Sequence, residues 1–238
     1  EVEVEIPVAD DAAPIEASAA AQIAAKLASS IAAQQSDTEH VDVTVTQQVD
    51  YAVPFTGDVD PSLQSAVSDL ELQAQPIFCG TDPNCIVGVS ITEGRLRRRR
   101  LSAALVYSVT TTVSTADGGD SDANGDPQQS DEGTGDASSL MASLAASYSG
   151  FDGAAVSPPV LVELSATVEV VQMGDSQDAE ALVGPSDNAQ ACSLCDTISS
   201  ASATEFTEAD VAVDASAIKA VPHVMYPPSP PPSSPPPP

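Results

Sequence analysis

The stretch from Ile86 to Thr115 narrows the fold most, because two β-patterned runs there flank a knot of arginines. Val87, Val89 and Ile91 alternate with small or polar residues before the knot. After it, Ala104, Val106, Ser108, Thr110 and Thr112 share one parity, while Leu105, Tyr107, Val109, Thr111 and Val113 share the other. A period of two places successive side chains on opposite faces of a strand, so both runs read as strands. Arg95, Arg97, Arg98, Arg99 and Arg100 fall where a hairpin connection would join them, and they are five of only seven basic residues in the chain.

The hairpin sits inside a longer order. Val41, Val43 and Val45, then Val49, Tyr51 and Val53, predict a preceding strand, in which the Gln47-Gln48 pair suggests a bulge or a break into two segments. Asp60 and Pro61 start a helix as N-cap and first-turn proline, with Leu63, Val67, Leu70 and Leu72 turned inward. Beyond Thr115 a polar, glycine-rich loop gives way to a helix expected over 138–149, carrying Leu140, Met141, Leu144 and Tyr148. Val160, Val162, Leu164 and Ala166 predict a last strand that runs on through Val168, Val170 and Gln172. Residues 41–172 thus spell the βαββαβ order of a ferredoxin-like α+β module. Four antiparallel strands would bury one face under two helices and leave the other open.

The two ends repeat its halves. Val2, Val4 and Ile6 predict a strand, and Ile15, Ala19, Ile23, Leu27 and Ile31 an amphipathic helix from Pro14 to about Gln35. Strand, helix and following strand over residues 1–53 repeat the order of residues 103–172, as the second half of a module. Residues 165–224 offer a strand, a weak helix from Asp178 to Val183, a cysteine turn at 192–195 and a short strand from Val211 to Ile218, as a first half. The expected organisation is a half module over 1–40, a full module over 41–172, a half module over 173–224 and a proline-rich tail over 225–238. Half modules cannot bury their apolar faces alone. Either the two ends of one chain meet, or the C-terminal half of one copy meets the N-terminal half of the next, a head-to-tail contact that makes a filament.

Charge and cysteine use limit the function classes. A net charge of -28, with the cationic residues confined almost wholly to one knot, argues against nucleic acid and suits divalent cations or a basic partner. No apolar run approaches the ~20 residues a membrane-spanning helix needs. The chain opens on EVEVEIPV without a signal peptide, so an extracellular reading implies a processed chain. Cys79 with Cys85, and Cys192 with Cys195, form two close pairs that suit local disulfides in an oxidising compartment. Zinc ligation and a thioredoxin-like Cys192-Ser193-Leu194-Cys195 are the alternatives, the first poorly spaced and the second lacking a preceding strand. From Pro227 the sequence PPSPPPSSPPPP predicts a stiff polyproline II rod, or a plain linker.

The SPPP tail, the paired-cysteine turns and the RRRRL knot between Val/Thr-rich strands resemble extracellular hydroxyproline-rich glycoproteins of volvocine green algae, the cell-wall, pherophorin-like and flagellar-surface group. The resemblance implies hydroxylation and glycosylation across Pro227, Pro228, Ser229, Pro230, Pro231, Pro232, Ser233, Ser234, Pro235, Pro236, Pro237 and Pro238. It also implies a structural role in a matrix or surface filament, with copies of the same chain or other surface and wall glycoproteins as partners. In layout the chain also resembles SEA domains, in which a ferredoxin-like module is cut in the hairpin between its second and third strands. Here Arg97-Arg98-Arg99-Arg100, followed by Leu101, matches instead the pattern that subtilisin-like proprotein convertases cut after. The alternative is an intact cationic tip that docks on acidic surface.

Two further patterns bear on chemistry. Asp120, Asp122, Asn124, Gly125, Asp126 and Asp131 fit the start and closing position of a calcium loop, with alternate oxygen ligands and a glycine at the sixth place. The alternative is an acidic disordered loop. Catalysis has little support: His40 and His223 are the only histidines, and neither lies in a recognisable nucleophile motif. The expectation is a non-enzymatic extracellular structural protein, with a monomeric adhesion or carbohydrate-binding ectodomain on a proline stalk as the alternative.

Overall fold

The computed structural model describes residues 2–9, 12–34, 38–55, 61–94, 102–115, 142, 144–148, 151, 156–172 and 193–222. In chain order its elements are β1 (Val2–Glu5), α1 (Ala17–Gln34), β2 (Thr38–Phe55), α2 (Pro61–Ser65), α3 (Val67–Phe78), β3 (Cys85–Gly94), β4 (Ser102–Ser114), β5 (Val160–Gln172), α4 (Ser193–Glu208) and β6 (Lys219–Pro222). The strands form one six-stranded sheet in the order β3-β4-β2-β5-β1-β6. Every neighbouring pair is antiparallel. The class is therefore mixed α+β.

Period-two patterning decides which face is covered. On β2, Val41, Val43, Val45, Val49 and Val53 are buried; on β4, Leu105, Tyr107 and Val109; on β3, Cys85, Val87 and Val89. Register carries this parity across the sheet, since Val53 lies opposite Leu105, Tyr51 opposite Tyr107 and Val87 opposite Val109. The helices lie against that one face. Ile23, Leu27 and Ile31 of α1, with Leu194, Ile198 and Phe206 of α4, pack on β1, the first half of β2 and β5. Leu70, Ala74 and Phe78 of α3 pack with Leu144 and Phe151 on β3, β4 and the end of β2. A buried leucine or isoleucine side chain contributes roughly 1.5–3 kcal/mol, so these two clusters supply most of the driving force.

The ends of the chain come together. β1 lies between β5 and β6, with Val4 opposite Ala166 on one side and Ala220 on the other. Val8 bridges Val213, and the Asp214 amide donates to the Pro7 carbonyl at 3.0 Å. Of the two arrangements open to the half modules, the chain by itself adopts the one in which its own ends meet.

Several local expectations need correction. β2 is one unbroken strand, because Val45 and Val49 keep the same parity and Gln47 fills the inward place between them. The irregularity at this height lies opposite, on β5: Gln48 faces Glu163 but Val49 faces Leu161, so Val162 is the extra residue, while a second shift near the start of β2 leaves Glu39 as an extra residue there. Leu161 and Leu164 are consequently the buried pair, and Val162 is exposed. Leu72 is 75% exposed, because α2 and α3 are separate helices and α3 turns Leu70, Ala74 and Phe78 inward instead. The cysteine turn at 192–195 and the strand from Val211 to Ile218 are also displaced. Cys195 belongs to the first turn of α4, and the C-terminal strand is β6, beginning at Lys219. The weak helix at 178–183 lies outside the described residues, as does half of the helix expected over 138–149, of which 142 and 144–147 are helical.

The C-terminal ends of α3 and α4 close in the left-handed region. Gly80 after α3 and Asp210 after α4 each have φ near 58°. The Val211 amide reaches back to the Phe206 carbonyl at 3.1 Å and that of Asp210 to Thr207 at 3.1 Å, a Schellman-type stop.

Candidate functional surface

The uncovered face of the sheet is built from the other parity of the same strands. β2 presents Asp42, Thr44, Thr46, Gln48 and Asp50 there, each half-buried among its neighbours. Register places Thr44 between Ser114 and Thr167, and Thr46 between Thr112 and Ser165. The result is two rows of hydroxyls across β4, β2 and β5. Thr44 Oγ1 donates to Ser114 Oγ at 3.1 Å, and the Thr46 and Thr112 hydroxyls lie 3.3 Å apart. One step along the strands, Ser108 Oγ donates to Asp50 Oδ1 at 2.7 Å, and Gln48 Nε2 reaches the same oxygen at 3.4 Å. Small β-branched residues suit this position, since their side chains stand upright on a pleated surface and pair across strands.

Carboxylates border the rows. The register continues the first row to Glu3 and the second to Glu5 on β1, and Asp42 faces Glu169. At the end of β2, His40 Nε2 lies 2.8 Å from Asp42 Oδ1, which also receives the Thr115 hydroxyl at 3.5 Å. The carboxylate stands between imidazole and hydroxyl. A nucleophile relay needs the imidazole in the middle, so this trio orders the strand end and does not activate Thr115. Chemically, the face can donate and accept neutral hydrogen bonds along its centre and attract cations at its border.

The outer edge of β3 is closed by side chains. Its inward residues turn their backbone groups away from β4, and α3 meets them. Gln75 accepts from the Val87 amide at 3.0 Å and donates to the Cys85 carbonyl at 2.8 Å, while Glu71 accepts from the Val89 amide at 3.1 Å. Residues 71 and 75 are one helical turn apart, and the strand groups they meet recur every second residue, so the helix covers the edge from Cys85 to Val89. An uncapped edge is a template for another strand, and over Cys85 to Val89 this one is not free to act as such.

A shallow groove between α1 and α4 is lined by Ala25, Lys26, Ser29, Glu205 and Glu208. Its Lys26–Glu208 ion pair, 3.9 Å long and solvent-exposed, contributes little. In the core, burial pushes the phenols of Tyr51 and Tyr107 above the usual range. The Tyr107 hydroxyl has no hydrogen-bond partner among the described residues.

Of the residues singled out from the sequence, Cys79 and Cys85 are brought together as a disulfide. It closes the turn between α3 and β3. Cys195 is also disulfide-bonded, and Cys192 lies outside the described residues. So do the arginine knot with Leu101, the proposed calcium ligands Asp120, Asp122, Asn124, Asp126 and Asp131, and Pro227–Pro238. Among the described residues no group of three or more His, Cys, Asp or Glu could hold a metal ion, and no helix is long and apolar enough to cross a membrane. The hydroxyl rows escaped notice in the sequence. The signal was there in DVTVTQ, VTTTVS and LSATVEV, whose polar parity is almost wholly Thr and Ser. Compared with family models, with characterised proteins and with solved structures, the chain has no match.

Proposed function

We propose that this chain is a non-enzymatic extracellular structural glycoprotein whose complementary half modules serve assembly. The observation that carries the reading is the seat of β1 between β5 and β6, where the N-terminal and C-terminal halves complete one another. A ferredoxin-like, SEA-like plan fits the strand order. In the module over 41–172 the order β3-β4-β2-β5 is that of a split βαβ unit, and β2-β5-β1-β6 repeats it with the half modules over 1–40 and 173–224. On this reading β2 and β5 belong to both units.

The remaining parts follow from the resemblance to volvocine hydroxyproline-rich wall and flagellar-surface proteins, for the tail, and from the sequence patterns at 97–101 and 120–131. The tail over 225–238 is a glycosylated polyproline II spacer, the arginines at 97–100 are a processing site, and the loop carrying Asp120, Asp122, Asn124, Asp126 and Asp131 takes calcium. Partners are further copies of the chain and other surface or wall glycoproteins. The disulfide Cys79–Cys85 supports an oxidising compartment.

A second reading, a monomeric adhesion or carbohydrate-binding ectodomain on a proline stalk, draws support from the same closure. One chain satisfies all of its own ladders, and the hydroxyl face offers hydrogen bonds to a polar ligand. Electron microscopy of native material, with intact mass under denaturing conditions, separates the two. Long uniform filaments support assembly; single particles of one uncut chain favour the ectodomain.

A further inference from the structure

In the sheet order β3-β4-β2-β5-β1-β6, strands from before the arginine connection (β1, β2, β3) alternate without exception with strands from after it (β4, β5, β6). Each of the five ladders therefore joins the front half of the chain to the back half, and no ladder is internal to either. The cores obey the same rule. One cluster combines Val4, Leu27 and Val43 with Leu164, Val168 and Ile198; the other combines Leu70 and Phe78 with Leu105 and Tyr107. The Cys79–Cys85 disulfide lies wholly within the front half, and Cys192 and Cys195 both lie in the back half. Residues 95–101 are thus the whole covalent link between two halves that are otherwise held by tertiary contacts.

We propose that copies still uncut at the arginines assemble by exchanging halves across this link, the segment before residue 95 of one copy pairing with the segment after residue 101 of the next. This rests on the assembly reading given above and names the surface it uses. Such an exchange preserves every described ladder and both cores, because each is already a contact between halves; only the course of the link changes. Two observations favour it over simple strand addition. The outer edge of β3 is occupied from Cys85 to Val89 by Glu71 and Gln75, and β6 is four residues long and ends at Pro222, which has no amide to donate. The front half of one copy then meets the back half of a second, whose front half is left for a third, a contact that need not close.

Cross-strand cysteine pairs in the full-length chain test this. Thr46→Cys with Thr112→Cys joins β2 to β4 where the hydroxyls lie 3.3 Å apart. Thr44→Cys with Ser114→Cys, at 3.1 Å, does the same one step away and serves if the first pair misfolds. Assembled material whose chains are shown by intact mass to be uncut at Arg100 is oxidised and run on non-reducing denaturing gels. Exchange predicts that most crosslinked chain runs at two or more times the 24.1 kDa chain mass. Assemblies that yield only single-chain crosslinks overturn the exchange and leave the assembly reading standing. Single particles with single-chain crosslinks overturn both.

Discussion

Replacing Gln47 by leucine removes the one polar side chain that β2 sends into the core. Gln47 is 8% exposed and occupies the inward place between Val45 and Val49. Its Oε1 accepts from the Ile15 amide at 3.0 Å, and its Nε2 donates to the Ile15 carbonyl at 2.7 Å. The chain ahead of α1 is hung on the sheet by this two-way contact. Leucine fills a similar volume but leaves both Ile15 groups without a partner in a buried place. Each orphaned group costs about 1–3 kcal/mol, and the more apolar side chain returns roughly 1 kcal/mol, so a net loss of about 3 kcal/mol is expected. For a chain of this size that lowers Tm by roughly 6–12 °C. Urea titration followed by circular dichroism measures it: the midpoint falls while the slope stays constant. Gln47→Glu provides a check by sign. The ionised carboxylate can accept from the Ile15 amide but cannot donate to the carbonyl, and burial raises its folded-state pKa. Stability should therefore be nearest the parent below about pH 4.3 and decline as pH rises through the raised pKa. A leucine variant within 0.5 kcal/mol of the parent would refute the argument.

Three other outcomes are expected. Gln75→Ala frees the Cys85 carbonyl and Val87 amide at a part-buried edge, so it should cost about 2 kcal/mol and raise concentration-dependent light scattering; unchanged scattering would mean that α3 does not protect this part of the β3 edge. Removing the Cys79–Cys85 bridge, which spans a separation of 6 residues, with a double alanine variant should destabilise by about 2 kcal/mol in chemical denaturation, the amount set by closing so short a loop. Tyr107 is held neutral by burial, so its contribution is complete below the unfolded tyrosine pKa of about 10 and is lost as pH rises above it. Tyr107→Phe should remove that alkaline decline and, by deleting a buried unpartnered hydroxyl, leave neutral-pH stability equal or higher by about 1 kcal/mol. A large loss in that variant would show that the hydroxyl has a partner.

Elements whose signal is local and strongly periodic could be read directly. α1 announces itself through Ile23, Leu27 and Ile31, and the β3–β4 hairpin through its alternation on both sides of the arginines. The Cys79–Cys85 pair was readable because six residues leave the two thiols little freedom to separate. α4 was not: its SLCDTISSASATEFTE is dominated by Ser and Thr, which are indifferent helix formers, and burial of Leu194, Ile198, Ala201 and Phe206 stabilises it. The spacing of those four residues was the missed clue. The Gln47-Gln48 pair pointed to an irregularity at the right height in the sheet but on the wrong strand, since a bulge shows only when both partners of a ladder are known.

What the sequence determined alone was therefore the strands β1 to β5, the helix α1 and the helical stretch of α2 and α3, the inward parities of β1 to β4 and the concentration of positive charge between β3 and β4. These depend on neighbours within a few residues, where side-chain period and backbone preference act directly. Which strand lies beside which was decided by the tertiary structure. The placement of β1 between β5 and β6, the capping of β3 by Glu71 and Gln75, and the hydroxyl rows of β4, β2 and β5 all arise from residues far apart in the chain. Their selection is a matter of burying each apolar face once and leaving no inner backbone group unpaired, a condition on the whole sheet that no single segment carries.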